Sequence, residues 1–345
     1  MSFPKVTIQL VTYNSAKYLP ECLQSIFNQT YRDFQVLVID NNSQDNTVEY
    51  LRRNWPQVAV FQNKHNVGFP KAHNQGIQLL KSPYVLLCNI DVVLEDDWLE
   101  KIMIEVESEK NSQVASFGGK LLKLKLLSGE IWELQKTDII DSCGLKLLKN
   151  HQVVELGSGE SKENFTHQQK VFGHSGALVM LRRLALEEIA IQLKGQNVPE
   201  YFDEDFFLYK EDVDLEWRLQ LAGWSALFVP EAVAYHIRAL AGTEGQKIME
   251  IIKNKKKQSP LSKYYSYQNH FLLIIKNEFG KNIFKYLPQL MWYEFKKFIY
   301  ILFFEIKNLK AIIKVFQLWP RMNKKRSLIL GRAKVKAEDI RHWIN

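Results

Sequence analysis

Cysteine is scarce in this sequence, and its scarcity excludes two kinds of structure. The 345 residues contain three cysteines, Cys22, Cys88 and Cys143, which lie far apart and show no paired spacing. A disulfide framework and a cysteine-bound zinc site are therefore excluded, and a reducing compartment is favoured. The first ten residues, MSFPKVTIQL, lack the basic segment and apolar core of a signal peptide. We expect a cytoplasmic protein.

Long apolar runs are also missing, even where aromatic and aliphatic residues alternate with lysines, between residues 264 and 326. The longest apolar run there covers residues 298–304, whereas a membrane-spanning helix needs about 20 apolar residues. The pattern instead suits amphipathic helices on an anionic membrane surface. The alternative is that these aromatics pack onto the rest of the chain or onto a second subunit. Nucleic acid is disfavoured, because no recognition motif is present.

Glycine-rich phosphate loops are absent as well. Neither G-x-G-x-x-G after the first predicted strand nor G-x-x-x-x-G-K-[ST] occurs in the chain. A dinucleotide-dependent dehydrogenase and a P-loop enzyme are therefore disfavoured. If the protein binds a nucleotide, carboxylates must help to do it, and Mg²⁺ or Mn²⁺ would suit such oxygen ligands.

Charge is distributed unevenly along the chain. Residues 246–345 contain 22 Lys and Arg against 6 Asp and Glu, a net charge of +16, whereas residues 1–245 carry a net charge of −8. This shift predicts two regions, residues 1–245 and a basic, amphipathic, helical region at 246–345. A basic region of this kind favours an anionic partner.

Strands and helices are predicted to alternate in the first 90 residues. The strands are expected at residues 6–12, 34–39, 58–61 and 84–88, with amphipathic helices between them. This order predicts an α/β fold with a mainly parallel sheet flanked by helices. Three strands end on polar clusters, at residues 12–15, 40–45 and 89–91. Ligands of such sheets bind beyond the carboxyl ends of the strands.

A short acidic helix is predicted to begin near Glu211 and to end at Gly223. Glu211, Asp212 and Asp214 lie in its first turn, where the helix dipole keeps carboxylates ionised. Asp212 shares a stripe with two leucines, so one face is expected to be apolar. This helix is our candidate for the catalytic centre. The alternative is a solvated acidic face that merely complements the helix dipole.

Other segments are less informative. Residues 108–170 are expected to form antiparallel strands and a long loop, and residues 171–182 a strand that returns to the core. His174 is interpreted as a core or turn histidine. Two short strands, at 226–229 and 232–235, are expected to deliver His236, which is either structural or a metal ligand.

The chain resembles the family 2 glycosyltransferases of the GT-A fold, particularly the bacterial rhamnosyltransferase-like branch. The resemblance covers about residues 5–240. Six segments carry it in order: VTYNSAKYLPECLQSI, VIDNNSQDNT, NKHNVGFPKAHNQGI, LLCNIDVVL, FGHSGALVMLRR and FFLYKEDVDLEWRLQLAGW. It implies a GT-A fold, Rossmann-like, with a C-terminal helical extension.

The resemblance also implies catalytic and metal-binding residues. Asp212, next to Glu211, would be the general base. The segment Asn89-Ile90-Asp91 would stand in for the D-x-D motif, with Asp91 as the ligand of Mn²⁺ or Mg²⁺ and His236 completing the metal site.

Other residues would bind the nucleotide sugar. Asp40 would contact the pyrimidine base, and Lys71 and Arg218 are candidates for contacts with the diphosphate or the acceptor. Either of the last two is alternatively a surface or ion-pair residue. The remaining residues expected to line the donor site are Thr12, Tyr13, Asn14, Asn66 and Asn89.

The resemblance therefore implies an inverting, metal-dependent glycosyltransferase. The first expectation is L-rhamnose from dTDP-rhamnose, moved onto a lipid-linked cell-surface glycan at the inner face of the plasma membrane. Alternatives are a UDP-hexose or galactofuranose transferase, a catalytically silent sugar-nucleotide or glycan-binding subunit, and a nucleotidyltransferase. A homo-oligomer is left open.

Overall fold

The computed structural model describes residues 3–127, 133–237 and 259–345. The side chains of residues 126, 127 and 133 are not described. The boundary predicted near residue 245 lies outside the described residues, so the division into two domains stays a prediction.

Twelve strands lie in the described part of the chain, and ten of them form one mixed sheet. Their order is β10-β12-β6-β11-β4-β1-β2-β3, with β5 paired to β12 and β7 to β6, while β8 and β9 pair with each other. Their bounds are β1 Val6–Thr12, β2 Phe34–Asp40, β3 Ala59–Gln62, β4 Tyr84–Cys88, β5 Val92–Leu94, β6 Val114–Leu127, β7 Glu133–Ser142, β8 Leu145–Leu147, β9 Val153–Glu155, β10 Gln169–Val171, β11 Leu178–Arg182 and β12 Ser225–His236.

Eleven α-helices are found in the described residues. Their bounds are α1 Leu19–Phe27, α2 Thr47–Asn54, α3 Phe69–Leu79, α4 Trp98–Glu107, α5 Arg183–Ile189, α6 Glu211–Leu221, α7 Pro260–Asn277, α8 Gly280–Lys285, α9 Leu287–Phe304, α10 Leu309–Gly331 and α11 Ala337–Arg341.

The predicted α/β fold is confirmed. β1 pairs in parallel with β2 and β4, and β2 with β3, while antiparallel β11 extends the sheet on the other side of β4. β1 and β2 are almost entirely buried, as expected of strands covered by helices on both faces. Because Thr12 pairs with Asp40, the two strands end at the same edge. Their polar loops therefore meet there.

Two of the predicted elements differ from the structure. Residues 225–236 form one strand, β12, rather than two, and its pairing with β6 shifts register between Val229 and Val233. Residues 171–182 are not one strand, because β10 ends at Val171 and β11 begins at Leu178. The loop between them reaches the candidate site, as shown below.

The acidic helix α6 forms where it was predicted, but its environment differs from the expected one. Gly223 ends it in a left-handed conformation, with φ of 83°. Instead of one apolar and one solvated face, ten of its eleven residues are buried, including Asp214, Glu216 and Arg218. Asp212 is the exception. The helix lies between the sheet and the C-terminal helices, which explains why its polar residues are covered.

The C-terminal helices share a core with the first part of the chain. α7 packs against α10 and against α6. One apolar cluster joins the two parts of the sequence, and its members include Phe172, Phe206, Trp217, Leu221, Leu272, Leu273, Met322, Ile329 and Ile340. Burial of this shared apolar cluster stabilises the fold of the first part of the chain and that of the C-terminal helices together.

Candidate active site

The ends of β1 and β2 carry the first predicted site residues. Thr12 donates its hydroxyl hydrogen to Oδ1 of Asp40 at 2.8 Å. Ser43 donates from its backbone N–H to Oδ2 at 3.0 Å and from its hydroxyl to Oδ1 at 2.5 Å. Asp40 has no exposed surface, whereas Tyr13 is 52% exposed. In this structure Asp40 therefore organises the loop from beneath, and Tyr13 forms its outer surface.

Two further predicted donor-site residues, Asn14 and Asn66, lie on loops, and a third, Lys71, lies in the first turn of α3. Asn14 has a φ of 52°, and its side-chain oxygen accepts a backbone N–H of the loop after β2 at 2.7 Å. Asn66 accepts the backbone N–H two residues ahead at 2.9 Å. Lys71 is half exposed, and its Nζ lies 3.6 Å from Oε2 of Glu204. An exposed pair of this length is weak, which leaves Lys71 able to move to another anion.

Arg218 is not brought to these loops. Its guanidinium is buried and donates to Oδ2 of Asp214 at 3.0 Å, to the carbonyl of Ile189 at 3.0 Å and to the carbonyl of Tyr201 at 2.6 Å. All three nitrogens are thus used inside the protein. The structure corrects the expectation that Arg218 faces a diphosphate or an acceptor, because this eighth residue of α6 is covered rather than exposed.

Asp91 and His236 come together from distant parts of the chain. His236 ends β12 opposite Val92, the first residue of β5. Its Nε2 lies 3.2 Å from Oδ1 of Asp91, and its Nδ1 lies 2.8 Å from Oδ2 of Asp141. Burial alone would lower the pKa of His236, but the two carboxylates outweigh it and raise that pKa to about 9.

These residues fit a metal ion by their chemistry. A carboxylate oxygen and an imidazole nitrogen are donors that Mn²⁺ accepts, and a second carboxylate on the far ring nitrogen is how proteins orient metal-binding imidazoles. Within the described ranges, however, no group of three or more His, Cys, Asp or Glu is arranged to hold a metal ion. Asp141 escaped the sequence analysis, since nothing in the pattern of residues 108–170 marks it.

Asp212 lies in the first turn of α6 and keeps a partly exposed side chain. The backbone N–H of Gly176 donates to its Oδ2 at 2.9 Å, and that of Val213 donates to its Oδ1 at 2.7 Å. A Cβ on Gly176 would lie 3.1 Å from the Cβ of Asp212, so any larger residue there would crowd Asp212. The two N–H donors hold both carboxylate oxygens in place.

Two neighbouring carboxyl groups differ from Asp212. Burial and the nearby charge of Asp212 raise the pKa of Glu211 well above its ordinary value. Burial likewise raises the pKa of Glu216 to about 8, although it accepts the Ser116 hydroxyl at 2.5 Å. Glu216 therefore holds a proton at neutral pH, whereas Asp212 is the partly exposed carboxylate in the first turn of the helix.

The loop between β10 and β11 connects Asp212 to the Asp91 corner. Gly176 donates to Asp212, and the next carbonyl, of Ala177, accepts the backbone N–H of Asn89 at 2.8 Å. Asn89 precedes Asp91 by two residues. His174, in the same loop, is a buried histidine next to Ser116, as predicted. Asp212 and Asp91 thus flank one short loop.

A sequence model described as "Glycosyl transferase family 2" matches residues 7–190. The match covers more than half of the chain and contains the loops after β1, β2 and β4. The chain belongs to glycosyl transferase family 2.

Curated relatives agree with the family 2 assignment. An uncharacterized glycosyltransferase of Haemophilus influenzae is 30% identical over 121 residues, which are 34% of this chain and 37% of that protein. Chondroitin synthase of Pasteurella multocida is 33% identical over 110 residues, 31% of this chain and 11% of that protein. The chain thus spans well under half the length of these relatives.

Solved structures share the fold of this family 2 chain. The structure of GalNAc-T7 with UDP, GalNAc and Mn²⁺ aligns with a TM-score of 0.54 and 14% identity, over 86% of this chain and 57% of that one. Staphylococcus aureus TarS 1-349 in complex with UDP aligns with a TM-score of 0.52 and 15% identity, over 98% and 91%. The likeness confirms the predicted GT-A-like fold, and the rhamnosyltransferase-like branch stays a prediction.

Proposed function

We propose that this family 2 chain transfers a sugar from a nucleotide-diphosphate donor to an acceptor hydroxyl with inversion, and that Asp212 is the general base. One observation supports this most directly. Of the eleven residues of α6, Asp212 alone is left unburied, and it lies beside the loop that also contacts Asn89. A base must meet the substrate, and this is the carboxylate of α6 that can.

The chemistry follows from these positions. Asp212 accepts the proton of the acceptor hydroxyl while that oxygen bonds to the anomeric carbon of the sugar. The bond from that carbon to the diphosphate breaks on the opposite face, which inverts the configuration. Gly176 and Val213 keep both carboxylate oxygens oriented during the transfer.

Asp91 and His236 would hold Mn²⁺ or Mg²⁺. When bound, the cation supplies positive charge that stabilises the leaving diphosphate. Asp141 fixes the imidazole ring in the orientation that this role needs. Asn89, partly buried just after β4 and two residues before Asp91, would add a water-mediated ligand.

The nucleotide would lie over the ends of β1 and β2. Tyr13 offers an exposed ring on which a base can stack, and Thr12 and Asp40 hold the loop beneath it. A direct contact from Asp40 to the base would require Ser43 to turn away first. Asn14 and Asn66 shape the adjoining turns, and Lys71 can reach a phosphate.

For the donor we retain dTDP-rhamnose as the first candidate, with a UDP-hexose or UDP-galactofuranose as the alternative. Two of the similar structures were solved with UDP, and a third, of a mannosyltransferase, with GDP-Man and Mn²⁺. The acceptor that we propose is a lipid-linked glycan at the cytoplasmic face of the membrane. It would be reached through the exposed aromatic side chains of α9 and α10, residues 291–319.

Calorimetry with a panel of dTDP-, UDP- and GDP-sugars, with Mn²⁺ and then with EDTA, tests the donor site. We expect one nucleotide to bind in a metal-dependent way. Asp212→Asn should leave that affinity unchanged and lower the release of nucleoside diphosphate by about 10²-fold or more. Wild-type turnover in Asp212→Asn would contradict the base assignment. Absence of binding by any donor to the folded protein would favour a catalytically silent subunit instead.

A further inference from the structure

The loop that leads into α6 has an unusual backbone. Phe207, Tyr209 and Lys210 have φ values of 57°, 68° and 66°. Residues other than glycine rarely adopt such values, and they persist only where the surroundings hold them. Lys210 directly precedes Glu211, so this backbone determines where the first turn of α6 begins and where Asp212 points.

Asn269, a side chain of the C-terminal helices, contacts three backbone carbonyls of this loop. Asn269 of α7 is fully buried. Its Nδ2 donates to the carbonyls of Phe206 and Leu208 at 2.9 Å each and to the carbonyl of Tyr209 at 2.8 Å. Three carbonyls converge on one amide group, which neither an aliphatic side chain nor a carboxylate could satisfy.

The carbonyl of Phe207, which Asn269 does not contact, accepts the backbone N–H of Phe69 at 2.9 Å. The Phe207 ring packs closely against Gly68. The ring also stacks on Tyr265 of α7, with centroids 5.1 Å apart. The loop is therefore held from two sides, by the donor-side segment through Phe207 and by α7 through the neighbouring carbonyls.

Helix α7 also contacts α6 at Asp214, two residues after Asp212. Asn277 donates to Oδ1 of Asp214 at 2.7 Å, and Nζ of Lys276 lies 2.7 Å from the same oxygen. All three side chains are buried. One helix thus holds the chain on both sides of Asp212, before it through Asn269 and after it through Asn277 and Lys276.

We propose that Asn269 is a positioning residue for the transfer reaction, and that it acts on Asp212 through the backbone of residues 206–210. The proposal rests on the function proposed for Asp212. It gives the C-terminal helices a part in catalysis that is separate from any contact with an acceptor or a membrane.

Asn269→Ala tests this proposal, with Asn282→Ala as the matched control. Asn282 is also fully buried and donates to two oxygens, those of Glu278 and Ala337, but both oxygens lie in the C-terminal region, away from the loop before α6. The assay measures release of nucleoside diphosphate from dTDP-rhamnose, UDP-galactose and GDP-mannose, with water as the acceptor. Both variants should lose comparable thermal stability.

The two variants should differ in turnover. We expect kcat of Asn269→Ala to fall by about tenfold or more, since small misplacements of catalytic groups have effects of this size. The dissociation constant for UDP should stay within about threefold, because the Phe207 contact with the donor side remains. Asn282→Ala should keep kcat within about twofold of the wild-type value.

A double-variant cycle separates this proposal from the base assignment. In an Asp212→Asn background, adding Asn269→Ala should lower the residual rate no further, because a residue that acts through Asp212 has nothing left to position.

Equal kcat values for Asn269→Ala and Asn282→Ala would overturn the positioning role, as would a full further loss in the Asp212→Asn background. Wild-type turnover in Asp212→Asn alone would overturn the base assignment instead. If Asn269→Ala does not fold, Asn269→Ser, which keeps one donor, takes its place with the same expected order of rates.

Discussion

At the scale of single residues, the site depends on how closely the backbone approaches Asp212. Gly176 donates its N–H to the carboxylate, and a Cβ at this residue would crowd the Cβ of Asp212 at 3.1 Å. The sequence shows a glycine there, in FGHSGALVMLRR, and predicts a close backbone approach. The sequence does not show that Gly176 approaches Asp212, because the two residues lie 36 positions apart.

Gly176→Ala should lower kcat by about tenfold and leave nucleotide binding intact, because the new methyl group would displace Asp212 rather than the donor loops. Steady-state kinetics and calorimetry with UDP measure the two effects. Gly280→Ala is the control, since a Cβ there meets nothing within 4 Å. Equal kcat in both variants would mean that the distance to Gly176 does not matter.

Glu216 should impose a pH dependence on stability. Its pKa rises from the ordinary 4.5 to about 8 in the fold. Between these values unfolding releases a proton, so the free energy of unfolding should fall as pH rises, by up to about 1.4 kcal/mol per pH unit. Glu216→Gln should remove that slope between about pH 4.5 and 8.

Urea denaturation at pH 4.5, 6 and 8 measures the slope. Glu49→Gln, which makes the same change of charge at an exposed position, is the control and should follow the wild-type curve. If Glu216→Gln keeps the full wild-type slope, the buried carboxyl is ionised and this account of α6 is wrong.

At the scale of elements, α6 is held by a buried group of charges from α7 and α10. Lys276 contacts Asp203 and Asp214, and Lys325 contacts Asp203 at 2.5 Å. Burial alone would raise the pKa of Asp203, but the two lysines outweigh it and hold that pKa far below its ordinary value. Removal of one member of such a group leaves the others buried with an uncompensated charge.

Lys276→Ala should therefore lower the free energy of unfolding by about 3–5 kcal/mol, because it leaves Asp203 and Asp214 with a buried, partly compensated charge. Chemical denaturation gives the value. The exposed Lys281 makes a control, whose replacement by alanine should change stability by less than about 0.5 kcal/mol. A similar small effect for both would show that the buried pairs contribute little.

At the scale of the whole molecule, exposed apolar side chains gather on the C-terminal helices. Phe303, Phe304, Ile306 and Phe316 are 64–74% exposed, and lysines lie among them. None of the helices in the described part of the chain has the length and apolar character that crossing a bilayer requires. A surface of this composition suits the interface of an anionic membrane.

Vesicle sedimentation tests this surface. The protein should bind phosphatidylserine-containing vesicles more strongly than phosphatidylcholine vesicles, and salt should weaken the binding. Replacing Phe303 and Phe304 together by serine should reduce binding by about tenfold or more. The paired control replaces Ile104 and Leu184, each 64% exposed elsewhere on the molecule. Equal losses in both pairs would show that this surface has no special role.

The sequence by itself determined the α/β order, the bounds of β1 and β4, and the polar loops at the strand ends, since these depend on local periodicity and on turn residues. It also marked Asp212, Asp91 and His236. The family match confirms the coarse assignment, while the roles of these residues stay predictions.

Only the tertiary structure decided which polar residues are covered. Arg218 and Glu216 look like surface residues of an acidic helix, but the sheet and α7 pack on both sides of α6. Asp141 and Asn269 become part of the site through contacts 95 and about 60 residues away in sequence. Burial and long-range hydrogen bonds depend on the packing of distant segments, and the period of a single helix or strand contains no information about them.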